Sequence, residues 1–393
     1  MRLFINALSA SAGGGLTYIW NVLPHLAALR ELQLVAAVTP GIHREFQPLA
    51  GVKFLELSAS PGRRFWYEQV QLPRIICEMR ADVLLSTGNF ALKRSPVPQI
   101  LLSRNSIYTS EDFRRDLISR WEFRMWLDTT VRGTLARRSV QWADVTVAPS
   151  EAFAAELRRW TGASNIVAIH HGFDPERFTA DQAPLPSEVE DKIRGSAGVL
   201  KLLFVSHYNY YRNFETLIRA LPLIRDRLAG RAARLFLTCK LAAGENPGTY
   251  RAEEAAKLIR ELGVGDMVVE LGAVQYGQLH QLYRRADIYV SPAYTETFAH
   301  PLVEAMYCGL PVVASDLEVH REVCGDAALY FPRFSPGDLA DRVAKLAASP
   351  ALANELSAKA RTRPDLFSWE LHATKLLTLA NALLTRPKPH GPE

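Results

Sequence analysis

Short runs rich in Val, Ile, Leu and Phe recur along the chain, each followed by a longer amphipathic segment. No other feature narrows the fold so far. A brief uninterrupted apolar run suits a strand covered on both faces, and its alternation with helical segments is the pattern of parallel sheets wrapped by helices. In the first half the runs predict strands at Arg2 to Ala7, Leu34 to Val38, Val52 to Leu57, Val83 to Ser86, Gln99 to Ser103, Val145 to Ala148 and Ile166 to His170. A second series follows at Leu202 to Val205, Arg234 to Thr238, Met267 to Leu271, Ile288 to Ser291, Pro311 to Ala314 and Ala328 to Phe331.

Between the two series, Thr179 to Gly198 ("TADQAPLPSEVEDKIRGSAG") is polar and proline-bearing, with little apolar periodicity, so it reads as a link. The expected architecture is α/β, with two consecutive doubly wound, Rossmann-like domains, because 393 residues exceed one ordinary core. The predicted layout has residues 1–178 as the N-terminal domain, 179–200 as linker and 201–365 as the C-terminal domain. A final helix in 366–385, Trp369 to Leu384, is expected to pack back on the N-terminal domain, ahead of a disordered tail at 386–393.

A net charge of +5 suits acidic ligands such as nucleotide phosphates, or an anionic membrane surface, and does not by itself indicate a nucleic-acid binder. Cys77, Cys239, Cys308 and Cys324 are widely spaced and form no C-x-x-C pair. Neither a disulfide framework nor a structural zinc site is expected, and a reducing cytoplasm fits. The start, MRLFINALSASAGGG, resembles no secretory leader, and no apolar run is long enough to span a bilayer.

The segment "SPAYTETFAHPLVEAMYCGLPVVASD", residues 291–316, carries the chemistry. Ile288 to Ser291 ends a strand, so Tyr294 to Ala299 belongs to the loop at its carboxyl end, where open α/β sheets hold ligands. Pro301 suits a first helical turn, and Gly309 with Pro311 ends the helix near Cys308. The backbone N–H groups around Phe298, Ala299, His300 and Leu302, with the positive end of the helix dipole, suit a diphosphate. Two carboxylates beside an anion are tolerable if each is aimed at hydroxyls, as on the ribose and hexose of a nucleotide sugar. Taken alone, Glu304 also reads as an acidic residue favoured near a helix N-terminus, and Glu296 as a solvated loop residue.

The Glu296-to-Glu304 spacing is similar to the E-x7-E motif of retaining glycosyltransferases of family 4, which have the GT-B architecture. The words "REVCGDAALYFPRFSPGDLADRV", "ADVTVAPSEAFAAEL", "HHGFDPERF", "KLLFVSHYNYYRNFETLIRALP" and "RFWYEQVQLP" also resemble that family, over nearly the whole chain. The resemblance implies two Rossmann-like domains facing an interdomain cleft, the first binding acceptor and the second nucleotide sugar. It implies that Glu296 contacts the donor hexose near the reacting carbon, that Glu304 binds ribose hydroxyls, and that the N–H groups from Phe298 to Leu302 hold the diphosphate. Bases in such sites are gripped around loops such as Leu271 to Gln275, which places Val274 among the donor contacts.

Where the family has an arginine and a lysine to neutralise the leaving diphosphate, this chain has Ser206-His207 and Arg212-Asn213. Arg212 keeps a fixed charge, whereas His207 near neutrality is protonated only in part. Thr297 and Ala299 stand at positions often held by glycine. Many relatives place a histidine after the fifth strand, and here "LLSRNSIYT" puts Arg104 and Asn105 there, neither a good general base. Both are expected to position the acceptor or the sugar, with a salt bridge at the sheet edge as the other reading of Arg104.

The glycines of "SASAGGGLTYIWNVLPHL" follow the first strand and lead into a helix; the resemblance implies that Gly14 and Gly15 lie near the donor phosphate and acceptor, and a tight turn is the plainer reading. No G-x-G-x-x-G fingerprint is present, which leaves a nicotinamide-dependent oxidoreductase as a weak third class. From Phe113 to Trp142 arginines interleave with Trp121, Trp126 and Trp142 on what reads as one basic aromatic helix, either a membrane-surface patch or a solvated face over buried tryptophans.

No D-x-D occurs, and the adjacent His170 and His171 point apart along a strand, so no metal or other cofactor is expected. The leading expectation is a cytoplasmic, metal-independent, retaining hexosyltransferase of cell-surface polysaccharide or lipopolysaccharide synthesis. It would act on a glycan or lipid-linked acceptor, with peripheral contact at the inner face of an anionic membrane. A non-catalytic nucleotide-sugar-binding or scaffold subunit is the alternative.

Overall fold

The computed structural model describes residues 1–10, 13–42, 49–58 and 64–385. The predicted tail 386–393 lies outside them, as do Ser11 and Ala12 of the glycine-rich segment.

The first sheet is wholly parallel, with strands β1 (Arg2–Asn6), β2 (Gln33–Val38), β3 (Val52–Glu56), β4 (Val83–Ser86), β5 (Gln99–Leu102), β6 (Val145–Ala148) and β7 (Ile166–Ala168) in the order β3-β2-β1-β4-β5-β6-β7. Successive residues of β1 serve opposite faces, as the pleat requires. Leu3 and Ile5 pack with Tyr18, Ile19, Val22 and Leu23 of the Gly13–Ala27 helix. Phe4 joins Leu72 and Ile76 on the other side.

The Trp369–Thr385 helix completes the first of these layers through Trp369, Ala373, Leu376 and Ala380. Its entry is tight. A Cβ on Gly172 would fall 2.1 Å from the Trp369 backbone nitrogen, so only glycine lets the two segments meet there.

The second sheet holds β8 (Leu200–Phe204), β9 (Ala233–Leu237), β10 (Val268–Glu270), β11 (Ile288–Ser291), β12 (Val312–Ser315) and β13 (Ala328–Phe331), also parallel, in the order β10-β9-β8-β11-β12-β13. In both sheets the chain reverses its direction of travel, between β1 and β4 and between β8 and β11. Those two switch points are where ligand crevices form in sheets of this kind.

The chain divides into two compact units whose boundaries differ from a simple cut in the sequence. The first comprises Met1–Thr109, Glu122–Gly172 and the C-terminal segment from Phe367, and the second Ser110–Trp121 and Phe173–Leu366. The stretch 179–200 is not a bare link, because Ser187–Arg194 is helical and lies in the second unit. Val189 is buried, and Ile193 four positions on is the other apolar residue of this polar helix.

The basic aromatic segment is two helices, Glu111–Ser119 and Phe123–Trp142, and not one. Trp121 takes a left-handed φ of +58° between them, a conformation that no helix continues through. Arg114, Arg115 and Arg120 therefore go with the second unit, and Arg124, Arg132, Arg137 and Arg138 remain in the first. The glycines of the first loop also differ from expectation, since Gly14 and Gly15 lie inside the first helical turn.

Candidate active site

The carboxyl ends of β8 and β11 carry two loops that meet. After β8, Asn209 accepts the Arg212 N–H at 3.1 Å and so caps the short Tyr210–Arg212 turn. Asn213 follows at φ +58°, a left-handed position that asparagine tolerates better than most side chains. Its amide donates to the Pro292 carbonyl at 2.9 Å and the Arg333 carbonyl at 2.6 Å, tying the first loop to the second. Asn213 entered the sequence-based expectation only as the residue after Arg212, with no role of its own, although an asparagine directly after a capped turn is the available signal.

These constraints bring Arg212 and Glu296 together. The guanidinium donates to one carboxylate oxygen of Glu296, and the Thr297 N–H donates to the other at 3.0 Å. Burial pushes the Glu296 carboxyl up, and Arg212 with the Thr297 N–H more than reverses this, so it stays below the ordinary carboxylate range. Burial likewise works against the Arg212 charge, and Glu296 overcomes it. At neutral pH the site therefore holds a cation and an anion side by side.

His207, an exposed residue of the same loop next to the buried Tyr208, is held below its ordinary value by desolvation and by the Arg212 charge. The Arg212 charge thus works against a second cation at His207.

Glu304 lies on the His300–Tyr307 helix and is only 4% exposed. Tyr283 donates its hydroxyl to the carboxylate at 2.8 Å, and Tyr276 adds a second phenol. Burial nevertheless raises the carboxyl to about 7. Both tyrosines escaped the sequence reading because neither lies in the motif; the β10–β11 connection brings them to it. His320, wholly buried and near enough to Glu296 to sense its charge, was also missed, and burial lowers its ring to about 4.

The helix start itself is strained. Ala299 sits at φ +64°, ψ +59°, where glycine is favoured. The expected row of backbone donors is shorter than predicted, because Pro301 has no N–H and the Leu302 N–H is engaged by the Ala299 carbonyl at 3.0 Å. The side chains of Leu302 and Phe298 belong to the core, at 0% and 1% exposure, and the Phe298 ring lies edge-on to His300 at 4.9 Å. Val274 is half-buried in the turn after β10.

In the first unit, Arg104 donates to the carbonyls of Gly14 at 2.7 Å and Thr87 at 3.0 Å and lies over the Tyr18 ring. It pairs with no carboxylate among the described residues, so the salt-bridge reading fails, and burial lowers it to about 10. Asn105 caps the Ser106–Tyr108 turn by accepting the Ile107 N–H, a local structural task. A Cβ on Gly15 would lie 3.3 Å from the Ala10 Cα and 3.7 Å from the Arg104 guanidinium, while one on Gly14 would meet nothing. Close approach thus explains Gly15 alone. His170 and His171 follow β7 and are not within it. The His171 ring packs against Tyr18, Trp369 and His372, and His170 against Phe367.

Two family models divide this chain between them. Residues 12–177 match "Glycosyltransferase Family 4" and residues 188–363 match "Glycosyl transferases group 1". Sucrose-phosphate synthase from Thermosynechococcus elongatus superposes with a TM-score of 0.76 at 20% identity, over 98% of this chain and 99% of its own. The two parts of this chain are therefore glycosyltransferase domains of the family 4 and group 1 types, set on a GT-B fold. HepE of Anabaena, solved with UDP and glucose, shares the fold of this glycosyltransferase with a TM-score of 0.69 at 14% identity, over 97% and 100% of the two chains.

In sequence, the glycosyltransferase is similar to D-inositol 3-phosphate glycosyltransferase of Actinosynnema mirum, 28% identical over 242 residues covering 60% of this chain and 56% of the relative. It spans about half the length of the curated relatives it matches.

Proposed function

We propose that this glycosyltransferase moves a hexose from a nucleoside-diphosphate sugar to a hydroxyl of a glycan or lipid-linked acceptor, with retention of anomeric configuration and without a metal. The observation that carries the reading is the Arg212–Glu296 pair at the β8/β11 switch point, beside the start of the His300–Tyr307 helix. The solved HepE complex with UDP and glucose supports a nucleotide-sugar donor.

In this reading the bond between the anomeric carbon and the diphosphate oxygen breaks, and the electron pair leaves with the nucleoside diphosphate. Arg212 neutralises that charge, which is the task a divalent ion performs elsewhere, and the His300 helix start adds its dipole. The acceptor hydroxyl bonds to the anomeric carbon on the face the diphosphate has left, and its proton passes to the departing phosphate. Glu296 orients the hexose and Glu304 the ribose, while Arg104 and Asn105 serve acceptor binding in the first unit. Rate then comes from positioning and charge stabilisation more than from acid–base chemistry.

No helix among the described residues is long and apolar enough to cross a membrane. On the Phe123–Trp142 helix, Phe123, Leu127 and Val131 follow one another at every fourth position, each between 51% and 57% exposed, with Arg124, Arg132 and Arg138 exposed around them. That face suits peripheral docking on the anionic inner leaflet, where a lipid-linked acceptor of cell-surface polysaccharide synthesis would be met.

His207 favours a second reading, a non-catalytic nucleotide-sugar-binding subunit, since one cation stands where the family has two. One experiment separates them: the full chain is mixed with UDP-, GDP- and ADP-sugars and membrane extract, with donor binding and nucleoside diphosphate release measured together. Release that disappears in Arg212→Gln supports transfer, binding without release supports the subunit, and absence of both defeats the nucleotide-sugar reading.

A further inference from the structure

The Glu111–Ser119 helix stands in the chain between β5 and β6 of the first sheet, yet it packs in the second unit. Ser110 caps its start by accepting the Phe113 N–H at 3.1 Å, and Phe113 and Leu117 are fully buried. What it touches is specific. Asp116 accepts the Tyr294 hydroxyl at 2.7 Å, two residues before Glu296. The Phe113 ring meets the Tyr211 ring edge-on at 6.1 Å, one residue before Arg212.

Further bonds fix the helix in place. Arg120 pairs with Asp116 at 2.7 Å, Glu215 at 3.1 Å and Glu254 at 3.2 Å, and lies 4.2 Å over the Tyr210 ring. Asp112 pairs with Arg333 at 2.7 Å, and Arg251 donates to the Arg120 carbonyl at 2.7 Å. The two loops also bond directly, Tyr294 N–H to the Tyr211 carbonyl at 3.0 Å. One short helix thus holds both loops that carry the opposed charges.

We propose that the Glu111–Ser119 helix is the positioning element of the reaction centre, with Asp116 and Tyr294 as positioning residues that set Glu296 against Arg212. The inference rests on the transferase reading of that pair. Neither residue touches the reacting atoms. A charge-assisted hydrogen bond from an otherwise buried tyrosine leaves the backbone at residues 294–296 little freedom, and a small displacement of a reacting group costs rate far more than binding.

The test uses the full chain with Tyr294→Phe, Asp116→Asn and Asp116→Leu. Tyr294→Phe keeps the ring against Phe334 at 5.4 Å and loses only the hydroxyl. The expected result is a fall in kcat of about tenfold or more with the Kd for UDP unchanged within about twofold. Asp116→Asn, whose amide oxygen still accepts, should retain more kcat than Asp116→Leu, and the Asp116→Leu/Tyr294→Phe double variant should be no slower than the slower single one.

An unchanged kcat in Tyr294→Phe, or losses that multiply in the double variant, overturns the proposal. Hydrogen exchange gives an arm independent of turnover. In Asp116→Leu, amides in both 208–213 and 293–299 should exchange faster, and acceleration confined to 111–119 overturns the proposal. If wild type shows no turnover, the transferase reading fails while the exchange result still decides whether the helix positions the two loops.

Discussion

Glu304→Gln offers the sharpest test of the site's electrostatics, because the expected effect has both a size and a pH dependence. Burial raises the Glu304 carboxyl from 4.5 to about 7, even with the Tyr283 and Tyr276 hydroxyls donating to it. The folded protein therefore holds a proton that the unfolded chain releases above about 4.5, and stability contributed by this residue falls as pH rises from there to about 7 and is flat above. The difference amounts to about 3 kcal/mol.

Glutamine keeps the volume, accepts one phenol, donates to the other and never ionises. Glu304→Gln should unfold at a Tm about 6–12 °C above wild type at pH 8, with the gap nearly closed at pH 5. Glu68, also raised by burial to about 7, is common to both proteins and cancels. Thermal unfolding across pH 5 to 8.5 measures it. Equal Tm at pH 8, or a gap that does not change with pH, refutes the account of a carboxylate ionised at the expense of burial. If the ribose assignment is also right, the stabler variant binds UDP more weakly.

Gly172→Ala should destabilise the first unit by about 3 kcal/mol, since its Cβ would fall on the Trp369 backbone, whereas Gly14→Ala, with nothing within 4 Å, should cost no stability; urea midpoints compare them. Ala299→Gly should stabilise by about 0.5 kcal/mol, because relief of the left-handed strain exceeds the entropy glycine adds to the unfolded chain; an unchanged or lower urea midpoint would count against that strain. Leu127→Ser/Val131→Ser should lower co-sedimentation with anionic vesicles several-fold at low salt, and undiminished binding would refute the membrane face.

Every strand in the described residues lies within two residues of where the apolar runs place it; the central strands, buried on both faces, must be largely apolar and so announce themselves, while the edge strands β3 and β10 carry exposed or half-buried residues. The helix carrying Glu304 was equally legible, bounded by Pro301 and Gly309, whose backbone rules act locally. The Arg212–Glu296 pair was visible as two separate residues but not as a pair. Its contact depends on strand order, which puts β8 beside β11 with two strands of chain between them.

The features that sequence alone could not supply share one cause. The tyrosines on Glu304, Asn213 between two loops, and the Glu111–Ser119 helix on the second unit are contacts between segments 21 to 178 residues apart, set by packing and not by neighbouring side chains. Local patterns carried the elements, their type and the residues with chemistry to perform. Only the tertiary structure decided which of those residues face each other, because burial and opposed charge are properties of a place in the fold, and no residue carries them in its own identity.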